Sequence, residues 1–419
     1  MELKPPRGTI DYIPPRSGAL REVMGAAHRI GELFGFAYVD TPGFEPMELF
    51  ARTSGESSDV VRKEMYTFED RGGRMLTLRP EGTAPIVRAY LANRNDLPTP
   101  FKAYFVGPMW RYGRPQTGRS REFRQFDVEI IGVAEPSADI EVMVCGERYL
   151  AELGLEGYHL EVNSIGDQAC RPQYREMLLE YLKAQVPRLK DEHKERFRDN
   201  PLRVLDCKDP ACREVSEDAP KITDHLCDPC RKHFDGVLAG LGEEGVKYQL
   251  VPTLVRGLDY YTRTAFEWVG DALPPNQASL GGGGRYDGLA ELIGGPPTPG
   301  VGFALGLEPR ILLALESEGR LPAWRGIECF VVTVGADASG RGRDLLRTLR
   351  AAGVSADRSF GERPLKAQLR MADRAGARYA LILGDKEAES GTVTVRRMED
   401  GHQETVPSTD VSTWISQQA

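Results

Sequence analysis

Six successive residues, Arg256-Gly-Leu-Asp-Tyr-Tyr261, set a cation, a carboxylate and two phenols at a turn entering a strand. That set suits a polar ligand, and equally an Arg–Asp surface pair followed by two packed aromatic rings. The segment 121–131 says more, because a strand sends alternate side chains to opposite faces. Arg121, Phe123, Gln125, Asp127 and Glu129 share one face, and Glu122, Arg124, Phe126, Val128 and Ile130 share the other. The second face is apolar towards its C-terminal end and fits against helices. The first lines up a cation, a ring, an amide and two carboxylates. A solvated sheet face could carry that row. In a central strand, however, unpaired polar groups are costly, which favours a polar ligand pocket.

Other motifs narrow the chemistry. The chain has no Gly-Lys dipeptide and hence no P-loop. Gly281–Gly284 does not fit G-x-G-x-x-G, since Tyr286 or Asp287 stands where the last glycine belongs. Four successive glycines let a backbone approach a ligand closely, although a tight turn or bulge explains them as well. Arg79-Pro-Glu-Gly-Thr83 reads as a strand end followed by a turn. Cys207-x4-Cys212 and Cys227-x2-Cys230, flanked by His225 and His233, have a spacing that could hold tetrahedral zinc; four buried thiols are the alternative.

The whole chain bounds these readings. Its 419 residues, 41% of them apolar, allow two to four domains with ordinary cores. No stretch approaches the roughly 18–20 apolar residues of a membrane span, and residues 1–15 lack a signal-peptide pattern. Seven Cys are too sparse for a secreted disulfide framework, so the reducing cytoplasm is the expected compartment. The net charge of −8 argues weakly against nucleic acid, but 42 of the 54 basic residues are Arg, suited to forked phosphate and carboxylate contacts. Five Arg against one acid lie between Trp110 and Gln125, and 11 bases against 6 acids between Arg325 and Arg378.

Periodicity supplies the elements that must position these groups. Leu20, Val23, Met24, Ala27, Ile30, Leu33 and Phe34 predict an amphipathic helix over 17–34, followed by a short strand over 36–39. Further strands are expected at 75–78, 103–106, 123–131, 158–162, 250–254 and 260–269. Few long crossover helices separate them. The fold class is therefore α+β, a mainly antiparallel sheet with flanking helices. Residues 167–242, charged and helical in pattern, read as an inserted helical subdomain between 1–166 and 243–322. A linker follows Arg320, and 326–419 reads as a small α/β domain with strands at 330–334, 379–383 and 392–397 and helices at 341–352, 365–375 and 411–417.

Taken in order, the motifs resemble those of one family over essentially the whole chain. The 17–34 helix with Gly35-Phe-Ala-Tyr-Val-Asp-Thr-Pro42 resembles the dimer-forming motif 1 of class II aminoacyl-tRNA synthetases. Phe105-Val-Gly-Pro-Met-Trp-Arg111 through Phe123 resembles motif 2, and Gly300-Val-Gly-Phe-Ala-Leu-Gly-Leu-Glu308 resembles motif 3. Leu254-Val-Arg-Gly-Leu-Asp-Tyr-Tyr261 and Gly283-Gly-Arg-Tyr-Asp-Gly-Leu289 are similar to segments particular to the histidyl-tRNA synthetases.

The resemblance implies a ligase that activates L-histidine with ATP, releases pyrophosphate, and transfers histidine from the adenylate to the 3′ end of tRNA(His). It implies a class II catalytic domain divided between 1–166 (motifs 1 and 2) and 243–322 (motif 3), and an anticodon-binding domain at 326–419. Arg111 and Arg256 are the implied catalytic cations at the α-phosphate. ATP, with Mg²⁺, is expected to meet Arg111, Arg119, Phe123, Glu129, Arg256 and Arg310. Histidine is expected to meet Glu81, Thr83, Gln125 and Glu129 at its ammonium end, with Tyr260, Tyr261 and Tyr286 around the imidazole. Arg114 and Gln116 resemble positions that meet the tRNA acceptor end. A homodimer and no membrane partner are expected.

Two features depart from the family pattern. Pro309 stands where motif 3 has Arg directly after Gly-Leu-Glu, so Arg310 is expected to take that role. The family is not generally one that binds zinc; a metal on Cys207, Cys212, Cys227 and Cys230 would be structural, since the implied catalytic residues map elsewhere. A related regulatory subunit of ATP phosphoribosyltransferase shares the catalytic fold without chemistry. It typically lacks the anticodon domain and the intact Arg-Gly-Leu-Asp-Tyr-Tyr segment, and this chain has both.

Overall fold

The first helix, Arg16–Leu33, forms where apolar residues recur every three or four positions. Leu20, Val23, Ala27 and Ile30 are buried along one stripe, whereas Leu33, expected on that stripe, is 68% exposed. The computed structural model describes residues 3–54, 63–198, 200–207, 209–275, 277–323 and 326–418. Trp324 and Arg325, part of the expected linker, lie outside the described residues. Two compact units result, one of Met1–Ile13 with Ala19–Pro322 and one of Pro14–Gly18 with Ala323–Ala419.

The larger unit is built on an eight-stranded sheet. Its order is Ala37–Tyr38, Phe101–Trp110, Glu122–Ile131, Gly300–Glu308, Ser279–Arg285, Thr262–Gly270, Tyr158–Ser164 and Tyr248–Leu250. The two outer pairings are parallel and the five inner ones antiparallel, in line with the expected fold class. Alternation divides the sheet into two faces. Phe126, Val128 and Ile130 join a core with the helices Arg16–Leu33, Pro136–Glu152 and Arg310–Ser317. Phe105, Ile131 and Ala265 face a second cluster with Tyr260, Tyr261, Tyr286 and the helix Thr83–Asn93. The 167–242 stretch carries the helices Arg171–Gln185, Pro210–Glu217 and Asp228–Glu243, and its buried residues Leu178, Val215 and Val237 belong to the first core.

Three local expectations change. Gly281–Gly284 forms no turn; it lies within the strand Ser279–Arg285, whose pairing with Thr262–Gly270 shifts register at each end of the glycine run. Propensity disfavours such a strand, but it is paired on both sides, and the approach is too close for side chains. A Cβ on Gly283 would sit 2.7 Å from the Phe303 Cα and run into the Gly302 carbonyl. Arg79–Thr83 does not end in a turn alone, because Thr83 opens a helix. The strand expected at 250–254 is Tyr248–Leu250, since Val251 to Thr253 bend away towards the Arg256 turn.

The smaller unit has a five-stranded sheet in the order Ala356–Arg358, Cys329–Thr333, Tyr379–Leu383, Thr392–Arg397 and Gln403–Pro407. Val331 and Leu381 face one core with Leu345 and Leu349, and Phe330 and Ala380 face another with Ala372. Its first helix, Ala336–Ala351, starts five residues before the expected position 341. Among the described residues no helix is long and apolar enough to cross a membrane.

Candidate active site

The polar face foreseen for 121–131 opens into a cavity of about 380 Å³, within the range of small-molecule sites. Phe123 and Gln125 come from the Glu122–Ile131 strand, and Glu81 and Thr83 from the start of the Thr83–Asn93 helix. Arg256, Tyr260 and Tyr261 come from the turn before Thr262–Gly270. Gly281, Gly282, Ala304 and Gly306 complete the wall with little side-chain bulk. The glycines leave room for the groups above them. A Cβ on Gly282 would sit 2.9 Å from an Arg256 terminal nitrogen, and one on Gly284 would sit 2.9 Å from the Tyr261 ring.

Four guanidinium groups reach this cavity from different parts of the chain: Arg111, Arg119, Arg256 and Arg310. Arg111 is anchored by its Nε, which donates to the Pro80 carbonyl at 2.7 Å, and its guanidinium carbon lies 5.4 Å from the centre of the Phe123 ring. Burial pulls its pKa down, with Glu64 and Glu81 opposing. Arg256 faces Glu267 at 3.4 Å. Burial lowers the Arg256 pKa, but Glu267 and Tyr261 outweigh that and leave it raised. Arg119 pairs with Glu64. Arg310 is the first residue of its helix, directly after Pro309, and donates to the Ser279 carbonyl. Such a cluster of cations in a concave, partly dry site is suited to an anion with several charges.

Carboxylates lie at the wall and behind it. Glu81 caps the Thr83 helix, accepting from the Thr83 amide at 2.7 Å and the Ala84 amide at 3.0 Å. Glu129 does not reach the cavity wall. It sits behind it, accepting from the Thr83 hydroxyl at 2.6 Å and from the Tyr286 phenol. Tyr286 is likewise beneath the cavity, with its ring 6.0 Å from that of Tyr260. Gly302 lies opposite Glu129, and any Cβ there would collide with the carboxylate. Among the described residues, Gln125 Oε1 is buried without a partner at the wall, as are both oxygens of Asp127 below it.

Burial raises the Glu129 pKa to about 8, against the Thr83 and Tyr286 hydrogen bonds. It also pushes Asp127 well above the usual carboxylate range, helped by Glu129 and Glu81. These groups bind protons more tightly folded than unfolded. Their contribution to stability is complete below the unfolded carboxylate pKa and falls as pH rises through the folded value. The ligand-free protein is therefore expected to lose thermal stability between about pH 5 and pH 8, and Glu129→Gln to flatten that slope. Melting curves across this range check it; equal slopes in the two proteins would remove Glu129 as the titrating group.

Arg114 is exposed in the loop between Phe101–Trp110 and Glu122–Ile131, and Gln116 forms a backbone bridge with Arg119; neither lines the cavity. The zinc expectation needs correction. Cys207 and Cys212 lie with His193, whereas Cys227 and Cys230 lie with Cys170 and Asp167. The four expected thiols therefore do not form one tetrahedral set, because the two pairs pack against different segments. Reading the chain alone also missed Glu267, Glu64 and Glu308, the acids that face Arg256, Arg119 and Arg124. The placement of Asp127 and Glu129 on the polar face signalled the buried carboxylate cluster.

Comparison with known proteins places this geometry among relatives. A family model described as histidyl-tRNA synthetase matches residues 8–191 and 209–309, and one described as an anticodon binding domain matches 328–418. The histidine–tRNA ligase of Pelotomaculum thermopropionicum is 48% identical over 403 residues, covering 96% of this chain and 94% of the relative. That of Rhodococcus erythropolis is 47% identical over 405 residues, covering 96% and 95%. The apo histidyl-tRNA synthetase structure from S. aureus superposes with a TM-score of 0.79 at 37% identity, covering 99% of this chain and 100% of that one. A Bacillus halodurans structure named as an ATP phosphoribosyltransferase regulatory subunit/histidyl-tRNA synthetase shares the fold at 22% identity and a TM-score of 0.64, covering 92% and 99%.

Proposed function

The chain belongs to the histidyl-tRNA synthetase family, and from that premise we infer how its cavity joins histidine to tRNA. The reaction is a histidine–tRNA ligation in two steps. A histidine carboxylate oxygen attacks the α-phosphorus of ATP and the bond to pyrophosphate breaks. A ribose hydroxyl at the 3′ end of tRNA(His) then attacks the histidyl-adenylate and releases AMP. In the first step two anions must meet, so cations aimed at the α-phosphate lower the barrier most.

The observation that carries the assignment of roles is the convergence of Arg111 and Arg256 on one cavity that Glu81, Thr83 and Gln125 also line. Arg111 bridges the α-phosphate and the histidine carboxylate, and Arg256 adds charge at the same phosphorus. Phe123 stacks on adenine, a contact worth about 1–3 kcal/mol for a base on an aromatic ring. Glu81, Thr83 and the free Gln125 oxygen accept from the substrate ammonium group. Glu129 acts behind Thr83 by holding its hydroxyl rather than by touching ATP. Tyr260 and Tyr261 flank the imidazole, with Tyr286 supporting them. ATP enters as its Mg²⁺ complex.

Arg119 and Arg310 bind the outer phosphates. Arg310→Ala is expected to raise the KM for ATP by roughly tenfold or more, the scale of one charge-assisted contact, and to leave the KM for histidine unchanged. An unaltered KM for ATP would remove it from the site. The smaller unit recognises the anticodon, and its basic helices meet tRNA phosphates. Arg114 and Gln116 reach the acceptor end. We assign the active particle as a homodimer acting in the cytoplasm, and sedimentation showing single chains at micromolar concentration would overturn the dimer.

Histidine-dependent exchange of pyrophosphate into ATP tests the whole reading. Exchange that requires histidine is the expected result. Its absence in folded, ATP-binding protein would favour a histidine-sensing regulatory subunit.

A further inference from the structure

We propose that Asp167, Cys170, Cys227 and Cys230 form a structural zinc site. One ligand atom from each lies within 4.8 Å of all the others. Cys170 Sγ and Cys227 Sγ are each 3.8 Å from Asp167 Oδ1. A tetrahedron with Zn–S near 2.3 Å and Zn–O near 2.0 Å has edges of about 3.5–3.8 Å, so little movement separates this cluster from a closed four-ligand shell.

Each pair of ligands is preorganised by its own backbone. Gly166 adopts a left-handed φ of +62°, and a Cβ there would sit 2.6 Å from Cys170 Sγ. The resulting turn lets the Asp167 amide donate to Cys170 Sγ at 3.4 Å, a bond that favours the thiolate. Cys170 immediately precedes the helix Arg171–Gln185. Cys227 caps Asp228–Glu243, and Cys230 lies in its first turn. Two helix N-termini thus point their positive ends at the sulfurs.

Charge is balanced as well. Three thiolates and a carboxylate around a dication leave two negative charges. Arg263 lies 3.4 Å from Asp167 Oδ2, and Arg171 follows Cys170 directly. Cys170 and Cys230 are buried while Asp167 and Cys227 are partly exposed, which gives the ion a route in. The other cluster, His193 with Cys207 and Cys212, offers three donors among the described residues.

The metal would fasten the base of the histidine pocket. Ile165 and Arg263 exchange backbone contacts with this turn, Ile165 N donating to Arg263 O and Arg263 N to Gly166 O, both at 2.7 Å. Arg171 donates to the Tyr261 carbonyl at 2.7 Å. The four ligands also join points 60 residues apart, so chelation should loosen the wall that carries Tyr260 and Tyr261. This consequence rests on the proposed histidine pocket, whereas the site itself does not.

Metal analysis of untagged, full-length protein, purified under reducing conditions and then offered Zn²⁺, tests the site directly. About one tightly held zinc per chain is expected, retained in Cys212→Ser and lost in Cys230→Ser. Less than about a tenth of an equivalent after reconstitution overturns the proposal, as does zinc that survives in Cys230→Ser or disappears in Cys212→Ser. If Cys230→Ser does not fold, cobalt replaces zinc in the wild-type protein. Thiolate-to-cobalt absorption of three sulfur ligands supports the site, and that of two assigns the metal to Cys207 and Cys212 and overturns it. A Cys227–Cys230 disulfide that persists in the metal-treated protein also overturns it. With zinc confirmed, a histidine KM unmoved by chelation would reject the link to the pocket alone.

Discussion

Arg256→Ala is expected to slow histidine-dependent pyrophosphate exchange by about 10²–10³-fold, the loss seen when one donor is taken from a preorganised anion site. The guanidinium is held by Glu267 at 3.4 Å, stands over the floor at Gly282, and leaves its Nε buried without a partner among the described residues. A group so placed is already oriented before substrate arrives, and its charge acts in a cavity where water screens little. The loss should fall on kcat, because negative charge at the α-phosphorus grows as the carboxylate attacks. Arg256→Lys should recover only part of it, since an ammonium group cannot make the forked contact. Arg111→Ala should be comparable, and the double variant should lose less than the product of the two, because both cations act on one phosphorus. Glu267 is itself partly exposed, so removal of Arg256 leaves no sealed charge and the fold should survive. Exchange within about threefold of the wild-type rate in folded Arg256→Ala would take this residue out of the chemistry.

Arg285→Met is expected to cost about 3–5 kcal/mol of stability, the scale of breaking a buried ion pair from one side. Arg285 and Asp139 are both fully buried. The guanidinium Nε lies 3.1 Å from Asp139 Oδ2, and another nitrogen donates to the Val133 carbonyl at 2.8 Å. His233 Nε2 lies 3.3 Å from Asp139 Oδ1. Burial alone would raise the Asp139 pKa, but His233 and Arg285 hold it below its ordinary value. Its contribution is thus complete above the unfolded carboxylate pKa and is lost as pH falls through the folded one. In Arg285→Met the carboxylate remains sealed without its main partner. Adding Asp139→Leu should restore most of the loss, since apolar replacement of a whole buried pair is often neutral. Denaturant unfolding followed by tryptophan fluorescence checks both. A loss under about 1 kcal/mol in the single variant would show that water reaches Asp139.

These two arginines were legible to different degrees. Arg256 stood out because its neighbours in sequence, Asp259, Tyr260 and Tyr261, are unusual together. Arg285 followed a glycine run that suggested a turn, and its partner lies 146 residues earlier. No local pattern connects them. Pro309 likewise left the following arginine's place open in the sequence, and the helix start brings Arg310 to the cavity wall beside Glu308.

The amino-acid order alone determined the α+β class, the first helix, three of the five strands of the smaller unit and the polar face of Phe123, Gln125 and Asp127. Those features follow from alternation over two residues or recurrence over three and four, which act along a short piece of chain. Tertiary structure alone decided that Glu129 and Tyr286 lie behind the cavity, that a glycine strand forms part of its wall, and that Cys227 and Cys230 meet Asp167 and Cys170 rather than Cys207 and Cys212. Each of those outcomes depends on which faces meet when distant segments pack, and packing is settled by shape and burial summed over the whole core rather than by spacing within one element.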